Sequence, residues 1–252
     1  FKNLEGVYKE KENLFKSLST EGTAFINMDD PFIASSKSCN KFKTILYGFS
    51  ENLDYSAKID NKNPSDILIN NHSIKIPEGM NINIQNILTA FSICSEIGIS
   101  INDFNLNLSS FKTPKGRGDL TKVNDFFIIN DSYNANYSSV VSGLKMLERI
   151  KGKNRKLIVL GDMLELGKNE KDLHKNLLKH IRENNFHQTF IYGRLMHELY
   201  LESKRAKLQS EIKYYNNQEL LISDLKNTIK ANDIVYIKGS RGMKMENIIE
   251  GI

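Results

Sequence analysis

Gly116-Arg117-Gly118-Asp119, the apolar run 123–129, and Asn130-Asp131-Ser132-Tyr133-Asn134-Ala135-Asn136 together decide how the chain is read. Two glycines flanking an arginine mark a turn that presents a cation. The apolar run reads as a buried strand, and the polar loop behind it can cap the next helix. An aspartate at the end of a strand, just before a helix N-terminus, is placed to hold a ribose or an ammonium group.

Downstream, strands and helices alternate. Strands are expected at 123–130, 156–160, 188–192, 211–215 and 233–238, and helices at 137–150, 169–184, 194–204, 217–230 and 242–250. Such alternation implies right-handed crossovers and a mainly parallel sheet covered on both faces. Leu157-Ile158-Val159-Leu160 and Ile234-Val235-Tyr236-Ile237 are the continuous apolar runs that a doubly buried strand requires. Gly161, Gly193 and Gly239 each follow such a strand, so the loops opening at Asp131, Gly161 and Gly239 should converge on one site. Asn169 with Asp172, and Asn216 with Glu219, read as helix caps.

Upstream, residues 4–18 read as a helix, 23–27 as a short strand, and Pro31 as a helix start. Strands follow at 43–49 and 53–60. A hairpin pairs 66–70 with 73–76 around Asn70-Asn71, and a helix over 83–97 closes at Gly98. Pro114 disfavours helix at Thr113, and the composition shifts there, so the domain boundary and a hinge are placed at Pro114.

With 252 residues and 40% apolar composition the chain can bury real cores in one large or two ordinary domains. No apolar run approaches the roughly 18–20 residues that cross a bilayer. The first residues lack the grading of a signal peptide, so a cytoplasmic, membrane-free protein is expected. Cys39 and Cys94 have no metal-like spacing and read as packing residues. Residues 1–113 carry 11 basic against 13 acidic side chains and residues 114–252 carry 24 against 17, which makes the halves −2 and +7. A basic C-terminal half suits anionic small substrates. No aromatics interleave with the basic residues and no nucleic-acid motif is present, which argues against a nucleic-acid partner. Neither a G-x-x-x-x-G-K-[ST] loop nor a G-x-G-x-x-G after a strand occurs, so the sequence contains no triphosphate cradle of its own.

Seven segments, in order along nearly the whole chain, resemble the Mur ligases. They are Leu4-Glu5-Gly6-Val7 with residues 11–15, Ile26-Asn27-Met28-Asp29-Asp30-Pro31, Asn83-Ile84-Gln85-Asn86, Gly116-Arg117-Gly118, the 130–136 loop, Gly161-Asp162-Met163-Leu164-Glu165-Leu166-Gly167, and residues 238–246. The resemblance is strongest to those members that join D-alanyl-D-alanine to UDP-N-acetylmuramoyl-tripeptide, using ATP and Mg²⁺, in peptidoglycan precursor synthesis. It implies an α/β protein in which residues 1–113 are the latter part of the central ATP-binding domain. Residues 114–252 would be the Rossmann-like C-terminal domain. On this reading the chain starts inside the central domain, as a fragment or split gene product that does not turn over alone and is a monomer when full length.

The same resemblance implies residue roles. Lys11 stands where a lysine is carbamylated and then ligates Mg²⁺. Asn83 and Asn86 match the asparagine pair near the adenine. Arg117 matches the arginine on the nucleotide phosphates, and Asp131 the carboxylate on the ribose. Tyr133, Asn134 and Asn136 shape the loop around the nucleotide. Lys238, Ser240 and Arg241 match the loop facing the dipeptide carboxylate, with Asp162 and Glu165 beside it. Lys11 and Arg117 are the catalytic candidates, and closure about Pro114 would carry Arg117, Asp131 and Ser240 over the nucleotide.

Three positions depart from the pattern. Tyr137 replaces a proline, Ile82 replaces a histidine, and Glu10 replaces a small residue where its carboxylate would oppose carbamylation of Lys11. A different reading makes the chain a non-catalytic remnant that binds a nucleotide or a partner protein.

Overall fold

The computed structural model describes residues 4–36, 41–59, 66–76, 84–150, 152, 154–184, 186–206 and 212–252. Asn83, Ile82 and Cys39 lie outside these. The chain divides into two compact units, Phe1–Lys112 and Thr113–Ile252.

In the first unit the elements run α1 (Leu4–Ser17), β1 (Thr23–Asn27), α2 (Pro31–Ala34), β2 (Lys43–Gly48), β3 (Tyr55–Ile59), β4 (Asp66–Ile69), β5 (His72–Lys75), α3 (Ile84–Glu96) and α4 (Ile101–Ser110). The sheet order is β1-β2-β3-β4-β5, parallel through β3 and antiparallel beyond it. Asn70 and Asn71 both take positive φ, as the two-residue hairpin requires. Ile87, Leu88 and Phe91 of α3 pack with Tyr47, Ala57, Ile67, Ile69 and Ile74 of the sheet, and Phe104 and Leu108 of α4 join them. Helix α4 is absent from the expectation above, although Ser100 caps it through the Asp103 amide.

In the second unit the elements are β6 (Asp119–Val123), β7 (Phe126–Asp131), α5 (Tyr137–Arg149), β8 (Lys156–Gly161), α6 (Glu170–Glu183), β9 (Gln188–Tyr192), α7 (Met196–Arg205), β10 (Ile212–Tyr215), α8 (Gln218–Thr228), β11 (Ile234–Lys238) and α9 (Glu246–Gly251). The order is β10-β9-β8-β11-β7-β6, with only the edge strand β6 antiparallel. Alternate residues of each strand feed opposite faces. Ile158, Leu160 and Tyr236 meet α5, α6 and α7, while Leu157, Val159, Val235 and Ile237 meet α8 and α9. Leu157, Ile158 and Leu160 are fully buried, and burying each such side chain contributes about 1.5–3 kcal/mol.

Three details correct the sequence reading. The strand expected at 123–130 is a hairpin, because Asn124 takes φ 52° and turns the chain between β6 and β7. The helix expected at 242–250 begins at Glu246, since a short 3-10 turn over Arg241–Met243 ends at Lys244 in the left-handed region. Asn169 makes no cap hydrogen bond, and the cap of α8 is Asn217 rather than Asn216.

Candidate functional site

Register brings the first cluster together. Lys238 is the β11 neighbour of Asp131 on β7, and Tyr236, two residues back, shares the Lys238 face. The Lys238 ammonium donates to Asp131 Oδ2 at 2.7 Å and to the Asn134 carbonyl at 3.0 Å, and the Tyr236 hydroxyl donates to the same Oδ2 at 2.8 Å. The Lys238 side chain is 4% exposed and that of Asp131 16%. Burial, with the Asp131 carboxylate beside it, pushes the Tyr236 phenol well above its ordinary value, so it stays a donor. Two donors thus orient Asp131 through one oxygen. Lys238, expected to meet the dipeptide carboxylate, is instead an inward counter-ion, because a cation this buried must sit on an anion.

The loop after β8 is fastened just as tightly. Both Asp162 oxygens accept backbone N–H groups at the start of α7, from Leu195 at 3.0 Å and Met196 at 2.7 Å. A carboxylate at that position also opposes the helix dipole. Ser240 Oγ donates to the Ala135 carbonyl and accepts from the Leu164 amide, while the Ser240 amide donates to the Asp162 carbonyl. One buried serine therefore ties together the three loops expected to converge. They do converge, but on each other. A Cβ on Gly161 would lie 2.5 Å from Met245 Sδ, and one on Gly239 2.6 Å from Met245 Cγ, so these glycines admit a fully buried Met245 at the strand ends. Asp162 and Ser240 shape the site from within rather than facing a ligand. Open space of about 490 Å³ lies farther along the same sheet end, lined by Tyr192, Arg194, His197, Tyr214, Asn216 and Met243.

The arginine turn presents an exposed surface. Gly116 and Gly118 take φ 82° and 83°, a region closed to most side chains. The Gly118 amide donates to the Asn130 carbonyl, and the Tyr133 amide to the Gly116 carbonyl, so the turn lies against the 130–136 loop. Arg117 stacks on Tyr133, with its guanidinium carbon 4.1 Å from the ring centroid. Both residues are exposed. Asn134 holds the Ala135 amide, and Asn136 caps α5 in a reciprocal box with Ser139. Glu165 is exposed at φ 62°, and the exposed Arg241 pairs with Glu246 at 3.3 Å.

In the first unit Lys11 and Asn86 are exposed on α1 and α3. Gln85, to which the sequence reading gave no role, is the residue that reaches inward. Its amide donates to Asn27 Oδ1 at 2.9 Å and Asp29 Oδ2 at 3.1 Å, while Asp29 accepts the Phe49 amide. Among the described residues no three His, Cys, Asp or Glu side chains gather so as to hold a metal ion, and none of the helices could cross a membrane.

Tyr236 and Gln85 were missed for different reasons. The strand period places Tyr236 on the Lys238 face and could have found it; nothing local distinguishes Gln85 from its asparagine neighbours.

A doubly wound C-terminal unit, preceded by a partly parallel α/β unit and carrying an arginine turn beside a strand-end aspartate, defines an α/β protein of two compact units. The chain belongs to the Mur ligase family: the profile of the Mur ligase middle domain matches residues 1–94, and that of the Mur ligase, glutamate ligase domain matches residues 116–241. Among its relatives is a UDP-N-acetylmuramoyl-tripeptide--D-alanyl-D-alanine ligase of Buchnera aphidicola subsp. Baizongia pistaciae. That relative is 34% identical over 260 residues, which cover 99% of this chain and 55% of the relative. The enzyme of the same name from Bacillus subtilis is 27% identical, over 98% of this chain and 55% of its own length. The MurF ligase of Thermotoga maritima, solved in complex with ADP, superposes with TM-score 0.78 at 21% identity, over 98% of this chain and 56% of that one. A MurF structure from Acinetobacter baumannii gives TM-score 0.81 at 21% identity, over 98% and 55%. The solved structures establish the likeness of fold. The chain spans about half the length of the relatives it matches.

Proposed function

We propose that this chain is part of an ATP-dependent amide ligase that joins D-alanyl-D-alanine to UDP-N-acetylmuramoyl-tripeptide. Residues 1–113 supply the latter part of the ATP-binding domain and residues 114–252 the C-terminal domain. The observation that carries the reading is Asp131, held through Oδ2 by Tyr236 and Lys238 beside the exposed Arg117–Tyr133 stack. A carboxylate oriented through one oxygen offers the other to a ribose hydroxyl. A permanent planar cation next to it suits phosphate oxygens. The names of the relatives supply the substrates.

The reaction proceeds in two steps. The tripeptide carboxylate attacks the γ-phosphorus of ATP, giving an acyl phosphate and ADP. The dipeptide amine then attacks the acyl carbonyl, phosphate leaves, and an amide forms. Catalysis of this kind is positioning and charge stabilisation. Arg117 lies against the phosphates, Asp131 holds the ribose, and Tyr133, Asn134 and Asn136 shape the wall. Asn83 and Asn86 serve the adenine. Glu165 and Arg241, with the space beside Arg194 and Met243, receive the dipeptide, while Asp162, Lys238 and Ser240 hold that end of the sheet in shape. The Mg²⁺ that the resemblance implies would, when bound, neutralise charge on the phosphates; among the described residues no three His, Cys, Asp or Glu side chains gather to hold it, and Lys11 would contribute only once carbamylated.

The test is phosphate release by the intact gene product, with the tripeptide substrate present and D-alanyl-D-alanine offered or withheld. Release that depends on both substrates is expected; release independent of them overturns the assignment.

A further inference from the structure

Helix α6 buries Leu177, Leu178 and Ile181 on one stripe, and His174 lies on the same stripe with 0% exposure. Its ring is fully engaged. The Met163 amide donates to Nε2 at 3.0 Å, and Nδ1 lies 2.6 Å from the Glu170 carbonyl oxygen. A carbonyl only accepts and an amide N–H only donates, so the two contacts select one form of the ring. That form is neutral, with the proton on Nδ1 and the lone pair on Nε2. A second proton would sit on Nε2, pointing at the Met163 N–H. No flip of the ring relieves this, because it sets Cε1–H against the Met163 amide and Cδ2–H against the Glu170 carbonyl, and both hydrogen bonds are lost.

Met163 occupies a pivotal place. The residue before it, Asp162, anchors the start of α7 through its carboxylate and receives the Ser240 amide on its carbonyl. The residue after it, Leu164, donates to Ser240 Oγ, and Glu165 then turns into the left-handed region. The Met163 amide is therefore the inward tie of a loop whose other ties run to α7 and to Ser240.

We infer that neutral His174 is the positioning residue of the loop from Asp162 to Gly167, fixing the direction in which Leu164 and Glu165 leave β8. Its link to catalysis rests on the reading that this loop borders the incoming dipeptide; its role in the loop does not. The charges that face the ring are carboxylates, Asp162 on the loop, Glu170 on α6 and Glu198 on α7, and each favours the imidazolium. Each is occupied elsewhere: Asp162 by the α7 amides, Glu198 by Lys171 and Lys175, and Glu170 by Arg194 at 3.9 Å. Burial outweighs them and holds the imidazole below its ordinary value of 6.5. The folded state therefore binds this proton less readily than the unfolded chain. The stabilisation is complete above the ordinary value and is lost as pH falls from there through the folded value.

The experiment uses the ¹⁵N-labelled 252-residue chain. Long-range proton–nitrogen spectra at about pH 7 should show His174 neutral with its proton on Nδ1. Amide exchange at Met163 and Leu164 should rise about tenfold or more in His174→Phe, because an amide bond to a buried acceptor is lost. His174→Gln, whose Oε1 can replace Nε2 as acceptor, should restore protection at Met163. An Nε2–H tautomer, an imidazolium at that pH, or unchanged Met163 exchange in a folded His174→Phe chain overturns the inference. If the phenylalanine variant does not fold, the tautomer in the unaltered chain decides alone. In the intact gene product, His174→Phe should raise KM for the dipeptide more than it lowers kcat. Absence of any ligation would sink the ligase reading while leaving the tautomer and exchange results to judge His174.

Discussion

Strand β7 ends in Asp131 and strand β8 is followed directly by Asp162, and the two carboxylates are used in opposite ways. Asp131 is oriented through one oxygen by a buried ammonium and a phenol, beside the exposed Arg117–Tyr133 stack. Asp162 is spent on both oxygens, each accepting a backbone N–H at the head of α7. Both are aspartates at the carboxyl end of a parallel strand, Asp131 level with Lys238 and Asp162 one residue beyond β8. The difference is the neighbour: β11 lies beside both strands, but its lysine and tyrosine point to Asp131, whereas a helix N-terminus meets Asp162. A strand-end aspartate is therefore a candidate ligand only where its surroundings leave it an oxygen.

This contrast can be broken at four points. Removing the counter-ion should have one of the two largest effects. Lys238→Met leaves the half-buried Asp131 without its cation and should cost about 3 kcal/mol in urea unfolding of the chain. Adding Asp131→Asn should cost less than the sum of the two changes, since the residues share one interaction; full additivity would mean that the pair is not coupled.

Asp162→Ala comes next. Two charge-assisted bonds to the start of α7 are lost, which should cost about 3 kcal/mol by the same measurement. An unchanged midpoint would return Asp162 to the ligand candidates. Ser240→Ala removes one donor and one acceptor between the loops and should cost about 1–2 kcal/mol. Calorimetry would show it as a lower Tm with unaltered secondary structure.

The smallest effect on the fold should come from Arg117→Ala. The side chain is exposed and touches Tyr133, so the unfolding midpoint should not move, whereas nucleotide affinity of the intact gene product should fall about tenfold. Titration calorimetry with ADP separates the two, and a lowered midpoint with unchanged affinity would make the stack structural.

The parallel strands of the second unit announce themselves, because Leu157 to Leu160 and Ile234 to Ile237 must be buried on both faces and so are apolar without interruption. Helix α4 did not, since its apolar residues are sparse and its cap, Ser100 with Asp103, is short and polar. The β6–β7 hairpin hid behind Asn124-Asp125, a turn that the apolar residues on either side made look like one strand. Motif and position singled out Asp131 and Arg117 as candidates. Lys238, Ser240 and Asp162 were expected at or beside the dipeptide, and their side chains bond within the chain, because whether a polar group faces solvent or its own chain is not a property of its type.

Gly116–Asn136 shows where the division falls. The sequence by itself determined that this stretch contains an arginine turn, a buried strand and a polar cap. These depend on glycine's access to positive φ, on apolar runs and on asparagine's affinity for backbone amides, all of which act within a few residues. Only the tertiary structure decided that Arg117 lies on Tyr133, that Lys238 arrives more than a hundred residues later to hold Asp131, and that Met245 fills the space between the strands. Those outcomes depend on strand order and register, and it is the packing of the whole sheet, rather than any local preference, that sets them.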